Sequence, residues 1–302
     1  MLSVYPEQPA ARDQWILGRR PALDSRDSLD PLRPWAFFVE DECSKDGTIV
    51  PVATIFLTNR ECPWRCLMCD LWKNTLTEAV PAGAVPAQID FALSQLPAAR
   101  QIKLYNSGSF FDPRAIPVED FQAIADRVKK FERVIVENHP ALIGESAVRF
   151  RDMLQAPLEV AMGLETVHPT ILPRLNKRMT LPQFAGAADF LRNNGIDLRV
   201  FILVKPPFMP EEQAVEWAAR SIDFAFNCGA TAITLIPTRS GNGAMEELAS
   251  AGDFSTPTLK TLEDSFAYGL SLQRGRVFVD LWDVKSETRE RLERLRAMNL
   301  SQ

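Results

Sequence analysis

The chain is poor in several features that would assign it to a familiar class of protein. Its 302 residues include only 5 cysteines and 2 histidines, and 39 acidic side chains outnumber 34 lysines and arginines. A net charge of −5 excludes the strongly basic footprint of a dedicated nucleic-acid-binding domain. The longest apolar run, at 198–204, is too short to span a bilayer. We therefore expect no membrane partner.

The first residues and the cysteine usage predict where the protein works. Residues 1–7 contain no basic segment followed by an apolar core, so they do not resemble a secretory signal. The odd number of cysteines also argues against a disulfide framework. Both observations predict a cytoplasmic protein, in which thiols stay reduced.

Three of the five cysteines lie within eight residues of each other. Cys62, Cys66 and Cys69 follow the spacing C-x3-C-x2-C. Three thiolates on one short loop hold a metal or a cluster from one side and leave a coordination position open. The spacing therefore predicts an iron–sulfur cluster that takes a further ligand from outside the loop.

Other uses of these cysteines stay open at the level of sequence. A zinc ion would need a fourth ligand, for which the chain offers His139, His168, Cys43 and Cys228, none at a finger-like spacing. Reduced, semi-buried thiols, or one disulfide and a leftover thiol, are further alternatives. A non-catalytic iron–sulfur or zinc protein, which holds structure or carries electrons, is the corresponding alternative to an enzyme.

The pattern of apolar residues predicts alternating strands and helices. An arm with a short helix at 11–17 and a hairpin of strands at 35–39 and 49–57 opens the chain. Parallel β-α-β units follow, because strand-like and amphipathic runs alternate. The strands are predicted at 49–57, 102–105, 134–136, 158–162, 198–204 and 232–236, and the helices at 87–96, 118–131, 141–154, 181–193 and 211–227.

These elements divide the chain into three predicted parts. Residues 1–48 form the arm and the first hairpin strand, 49–240 an α/β unit with six parallel strands, and 241–302 an extension. The extension is predicted to hold a helix at 259–272, a strand at 276–280 and a charged helix at 286–298. Six strands are fewer than a closed barrel needs, and a flat doubly wound sheet is the competing arrangement.

A C-x3-C-x2-C loop directly after the first strand of a β/α repeat resembles the radical S-adenosylmethionine (SAM) superfamily. The resemblance covers roughly residues 49–240. It implies a partial (β/α)6 barrel in which the three cysteines hold a [4Fe-4S] cluster at the carboxyl ends of the strands. It also implies that the fourth iron binds SAM through its amino and carboxylate groups.

Three short sequence segments narrow the resemblance to one family within the superfamily. Residues 103–112 (KLYNSGSFFD), 162–166 (MGLET) and 204–208 (VKPPF) are similar to the radical SAM protein of archaeosine biosynthesis. That RaSEA-type family is related in turn to the Elongator catalytic-subunit-like group. This similarity implies a modified nucleobase, in tRNA or as a precursor, as one alternative substrate.

The resemblance also implies which residues would bind SAM. Ser107, Gly108 and Ser109 form the glycine-containing turn after the second strand, where family members approach the SAM amino group. Glu137 and Glu165 end the third and fourth strands, where a carboxylate accepts from ribose hydroxyls. An ordinary β-α turn and a salt bridge in the barrel mouth are the structural alternatives.

Three further residues are candidates for contacts with SAM. Met68 stands where many radical SAM loops carry an aromatic residue near the adenine, and its thioether can still cover an apolar face. Arg199 alternates into the barrel and is expected to pair with Glu165 or with the SAM carboxylate, unless it forms a purely structural ion pair. Lys205 follows the fifth strand, at the same end of the barrel.

The function implied is reductive cleavage of SAM to a 5′-deoxyadenosyl radical, which then abstracts a hydrogen atom from the substrate. An electron donor such as flavodoxin or ferredoxin is implied as a partner. The acidic balance favours a small-molecule biosynthetic substrate over tRNA. Whether the enzyme is a lyase, a transferase or an oxidoreductase is left open.

Overall fold

The computed structural model describes residues 4–22, 29–282, 284 and 289–302. One sheet of eight strands, in the order in which they occur along the chain, forms the centre of the molecule. The strands are β1 (Ala36–Cys43), β2 (Ile49–Phe56), β3 (Gln101–Tyr105), β4 (Arg133–Glu137), β5 (Leu158–Glu165), β6 (Asp197–Val204), β7 (Ala232–Pro237) and β8 (Arg276–Val279).

Helices lie along the chain before, between and after the strands. They are α1 (Pro9–Leu17), α2 (Ala84–Leu93), α3 (Phe121–Val128), α4 (Glu145–Met153), α5 (Ile171–Arg174), α6 (Leu181–Asn193), α7 (Glu211–Asn227), α8 (Ala244–Ser250), α9 (Leu259–Ser271) and α10 (Arg289–Leu300). The helix predicted at 286–298 thus appears as α10, and residues 286–288 lie outside the described part of the chain. Among the described residues, no helix is long and apolar enough to cross a membrane.

The sheet contains one more parallel strand than the sequence predicted. β1 pairs antiparallel with β2, as expected of a hairpin, and every later neighbour pair is parallel. The strand assigned to the C-terminal extension pairs with β7, with Ala232 opposite Arg276. The extension therefore adds an eighth strand to the same sheet, which the prediction of six parallel strands missed.

The sheet is curled and not flat. Tyr105 on β3 and Phe201 on β6 are not neighbours in the sheet, yet their ring centroids lie 6.1 Å apart. Such a contact requires both side chains to point into a common interior. The partial barrel is thereby confirmed, and the flat doubly wound alternative is excluded.

The helices pack on the outer face of this barrel through apolar residues that recur at helical spacing in their sequences. In α3, Phe121, Ile124, Ala125 and Val128 recur at helical spacing, and all four are buried against the sheet. α6 begins at a capping box in which Thr180 and Gln183 satisfy each other's backbone groups. Because the helices pack on the outer face, the inner face of the sheet is not covered by them.

The floor of the interior, near the amino ends of the strands, is built from charged side chains. Glu159 on β5 is fully buried and accepts hydrogen bonds from Arg199 (2.7 Å), Arg276 (2.8 Å) and Arg133 (3.3 Å). The positive charges of these arginines hold the pKa of Glu159 well below its usual range, although burial opposes them. One carboxylate thus connects strands β4, β5, β6 and β8.

A second carboxylate extends this floor to the other edge of the sheet. Glu42 on β1 pairs with Arg199 on β6 and with Lys103 on β3. Burial alone would raise the pKa of Glu42, but the two cations lower it to about 2. This stabilisation is therefore present above the pKa of the unfolded carboxyl group and is lost as the pH falls towards 2.

The floor corrects one expectation. Arg199 does point into the barrel, but it pairs with Glu42 and Glu159 and not with Glu165. The register explains why, because Arg199 lies opposite Ala161 near the start of β6, whereas Glu165 ends β5 opposite Ile202. The ion pair of Arg199 is the structural one.

We predict that Glu159→Gln lowers the free energy of unfolding by about 3–5 kcal/mol at pH 7, because three buried guanidinium groups lose their shared counter-charge. Urea-induced unfolding followed by circular dichroism measures the change. Glu132→Gln is the control, since Glu132 pairs with Arg100 at the surface. Equal unfolding curves for both variants would contradict a structural role for the floor.

Candidate functional site

The cysteine loop leaves β2 at the carboxyl end of the sheet. Thr58, just after the strand, is held by Gln88 of α2, which accepts from its backbone N–H (2.8 Å) and donates to its carbonyl oxygen (2.7 Å). A fully buried glutamine thus takes both backbone groups that the strand no longer pairs. The loop therefore starts from a fixed point at the barrel mouth.

The loop is also held by segments from distant parts of the chain. Leu67 donates its backbone N–H to the carbonyl oxygen of Leu175 at 2.9 Å, and Asn176 donates to the carbonyl oxygen of Arg65 at 2.7 Å. Asn242 donates to the carbonyl oxygens of Leu67 (2.8 Å) and Cys69 (3.1 Å). These bonds fix the backbone between the three cysteines.

Helix α1, in the predicted N-terminal arm, packs onto the outer side of the loop. Asp13 accepts a hydrogen bond at 2.7 Å from the same Asn176 that holds Arg65. Tyr5 and Ile16 pack with Leu67 in one buried apolar cluster. The arm therefore belongs structurally to the cysteine loop.

The three cysteines are half-buried on the loop. Burial raises the pKa of Cys62, Cys66 and Cys69 to about 12 each, so the free thiols are protonated at neutral pH. In the described part of the chain, no three His, Cys, Asp or Glu side chains converge to hold a single metal ion. Three soft donors on a preformed loop suit an iron–sulfur cluster, which would bind them as thiolates.

None of the four candidates for a fourth zinc ligand is positioned for that role. Both ring nitrogens of His139 are engaged, because Nδ1 accepts from Ala141 N (3.1 Å) and Nε2 contacts the Lys177 carbonyl oxygen (3.0 Å). His168 Nδ1 accepts from backbone N–H groups of its own loop. Cys43 packs near the floor with Ala232 and Phe278, and Cys228 belongs to the outer core.

His139 instead supports the loop. Its ring stacks on Trp64, between the first two cysteines, with centroids 3.8 Å apart and an angle of 12°. Burial and the nearby charge of Lys177 lower the pKa of His139 to about 3, so the ring is neutral. Trp64 and His139 thus support the loop together.

The predicted turn after β3 lies against the loop. A Cβ atom placed on Gly108 would be 3.4 Å from the Cβ of Cys62, which is ordinary contact. Glu137 accepts from the backbone N–H groups of Asn106 (2.6 Å) and Gly108 (3.4 Å), and burial raises its pKa to about 6. Glu137 therefore shapes the turn, and Ser109 Oγ accepts from His139 N at 3.0 Å.

The other predicted residues fall into two groups. Met68 packs against an apolar cluster that includes Leu203 and Ile236, at the carboxyl ends of β6 and β7. Lys205 is buried and contacts the Ser255 carbonyl oxygen (2.8 Å) and Glu211 (3.1 Å). The structure therefore brings the turn and Glu137 to the cysteine loop that carries Met68, and Glu165 pairs with Lys177 in the segment bonded to that loop. The side chains of Arg199 and Lys205 are committed to other partners.

Sequence reasoning missed a set of buried polar side chains at the ends of β2 and β3. Within the described residues, Asn106 is fully buried and neither its amide oxygen nor its amide nitrogen has a hydrogen-bond partner. The same is true of Thr58 Oγ1, Asn59 Oδ1 and Ser107 Oγ. A buried unsatisfied polar group costs about 1–3 kcal/mol. These groups therefore suit a polar ligand bound beside the cysteine loop, as SAM would be.

An aromatic layer lies above the charged floor. Phe56 contacts Tyr105 with ring centroids 6.1 Å apart, and Tyr105 reaches Phe201 across the interior at the same distance. Phe38 and Trp282 join the layer, each within 6.1 Å of Phe56. All but the exposed Trp282 are half-buried. The interior between floor and mouth is thus lined by rings that can pack on an apolar or planar molecule.

Comparison with known proteins agrees with the geometry. The chain is 25% identical over 240 residues to an uncharacterised protein of Methanocaldococcus jannaschii, a match that covers 74% of this chain and 66% of that protein. It is 28% identical over 227 residues to archaeosine synthase subunit beta of Methanosarcina acetivorans, covering 71% and 65%. The chain thus spans just under two thirds of the length of these curated relatives.

A solved structure shows the same fold. Coproporphyrinogen III oxidase from Escherichia coli, a radical SAM enzyme, superposes with a TM-score of 0.50 at 10% identity, covering 76% of this chain and 54% of that one. No protein-family model matches the chain. The relatives and the fold together confirm the resemblance to the radical SAM superfamily.

We predict that Asn106→Ala does not lower the free energy of unfolding of the ligand-free protein beyond the roughly 1 kcal/mol that a small cavity costs. Its amide has no partner to lose. Asn242→Ala removes two hydrogen bonds to the cysteine loop and one that Asn242 accepts from Met245 N in α8, and should cost about 1–3 kcal/mol. Urea unfolding compares the two, and an equal or larger loss for Asn106→Ala would show that the amide is already satisfied.

Proposed function

From the radical SAM fold and relatives of this chain, we propose that it binds a [4Fe-4S] cluster through Cys62, Cys66 and Cys69, and SAM at the open iron. The cluster would supply the electron that cleaves SAM to methionine and a 5′-deoxyadenosyl radical. That radical would abstract hydrogen from a small-molecule biosynthetic substrate. The observation that carries the proposal is the preformed three-cysteine loop beside buried polar groups that lack partners.

The chain's own residues would bind and orient SAM. Asn106 and Ser107 offer amide and hydroxyl groups to its amino-acid portion, and Glu137 holds their turn in place. Met68, Leu203 and Ile236 form an apolar surface suited to the adenine ring. Preformed groups of this kind add affinity because little order has to be created on binding.

The interior favours a compact substrate. The floor closes it below with ion pairs that span several strands, and the aromatic layer lines the space above. A substrate held there lies close to the mouth and away from bulk water, which protects a reactive radical. The acidic balance of the chain points in the same direction, towards a small molecule.

A second candidate substrate is a nucleobase of tRNA or its precursor. The curated relatives named archaeosine synthase subunit beta favour it. The aromatic rings would suit it as well, because bases stack on aromatic side chains. In either case a low-potential donor such as flavodoxin or ferredoxin would deliver the electron.

We expect anaerobically reconstituted protein to form 5′-deoxyadenosine from SAM and dithionite, measured by liquid chromatography. Cys66→Ala should abolish the product, because the cluster loses one of three ligands. Cys228→Ala, in the outer core, is the matched control and should retain it. Bound zinc without sulfide, or product in Cys66→Ala, would refute the proposal.

A measurement of tRNA binding distinguishes the two substrate classes. For a small-molecule enzyme we expect no tRNA association at 50 mM salt, because the net charge of −5 gives little release of counterions on binding. Gel-shift titration of the reconstituted protein with bulk tRNA measures this. Tight, salt-sensitive binding would favour the nucleobase candidate instead.

A further inference from the structure

A segment after β5 runs directly beside the cysteine loop. Leu175 accepts from Leu67 N, and Asn176 donates to the Arg65 carbonyl oxygen. The carbonyl oxygen of Lys177 contacts the ring of His139, which stacks on Trp64. Three consecutive residues are thus bonded, directly or through one ring, to the turn that carries Cys66.

The side chain of Lys177 is buried at this point and has one carboxylate partner. Its Nζ lies 2.6 Å from Glu165 Oε1, and both side chains are about nine-tenths buried. Gly163 makes room for them, because a Cβ atom there would overlap both Glu165 Oε1 and Lys177 Nζ. The pair is therefore a built feature of the mouth and not a flexible surface contact.

The two partners of this pair come from different segments. Lys177 directly follows Leu175 and Asn176, which are bonded to the cysteine loop, and its own carbonyl oxygen contacts the His139 ring that stacks on the loop. Glu165, in contrast, ends strand β5. The cation thus belongs to the segment that lies against the loop. The charged floor does not share this role, because it lies near the amino ends of the strands and the cysteine loop lies at their carboxyl ends.

We propose that Lys177, held by Glu165 in the space that Gly163 leaves, is a positioning residue that places a buried positive charge beside the cluster and makes the cluster easier to reduce. This inference rests on the proposed function. Reduction adds one electron to the cluster from a low-potential donor, and no bond is made or broken in that step. A fixed cation in a poorly screened site stabilises the added negative charge.

The test is the midpoint potential of the cluster, measured without SAM by redox titration followed with electron paramagnetic resonance. Glu165→Gln keeps the cation and removes its counter-charge, so its potential should shift to more positive values. Glu165→Gln combined with Lys177→Met removes both charges and leaves no unpaired buried ion. At a fixed potential, its ratio of reduced to oxidised cluster should fall at least tenfold relative to Glu165→Gln, which corresponds to about 59 mV for a one-electron couple.

Lys260→Met serves as the control, because Lys260 is exposed and pairs with Asp264 on the surface of α9. Its potential should equal that of the wild type. Iron and sulfide content is measured for every variant, so that a change in loading is not mistaken for a change in potential. If the double variant fails to load, Glu165→Gln alone decides the question.

Equal potentials in the wild type, in Glu165→Gln and in any loaded double variant would overturn this inference. That result differs from failure of the proposed function, in which the wild type itself would hold no reducible cluster. A purely structural role for Lys177 would change loading or unfolding but would leave the potential of the loaded protein unchanged.

Discussion

The ion pairs across the floor of the barrel are the interaction on which the rest of the structure depends. Arg199 joins carboxylates on β1 and β5, and Glu159 gathers arginines from β4, β6 and β8. Strands that are not neighbours are thereby held at fixed distances across the interior. These cross-links curve the sheet and so bring the carboxyl ends of the strands together. This curvature allows three segments to meet at the mouth: the cysteine loop, the turn after β3 and the end of β5.

The mouth follows a different principle from the floor. Below, each buried charge has a partner, whereas beside the cysteine loop several buried polar atoms have none among the described residues. Hydrogen bonds between the side chains of Asn176, Asn242 and Gln88 and the loop backbone hold the loop in place in spite of these unsatisfied groups. A rigid frame around unpaired donors and acceptors is what a bound ligand requires. The molecule thus has a structural end and a functional end.

The sequence predicted those features that depend on local pattern. Apolar periodicity predicted the strands and helices, which the structure confirms, and the spacing of Cys62, Cys66 and Cys69 predicted the candidate site. The prediction failed where contacts depended on the register of the strands. Arg199 was correctly predicted to point into the barrel, but the register places it opposite Ala161, too near the amino ends of the strands to contact Glu165. The sequence did not identify Asn106 as a ligand-binding candidate, because a sequence does not show whether the amide of a polar residue after a strand forms hydrogen bonds.

The charged floor also affects how the barrel responds to heat. The cost of removing ions from water falls as the temperature rises, because ion hydration carries an unfavourable entropy. The desolvation penalty of the ion pairs in the floor therefore becomes smaller on warming, and their net contribution to stability is retained. The hydrophobic stabilisation of the apolar outer core, in contrast, increases little at higher temperature. The end of the barrel opposite the cysteine loop should thus be its most heat-tolerant part, and thermal loss of structure should begin at the mouth.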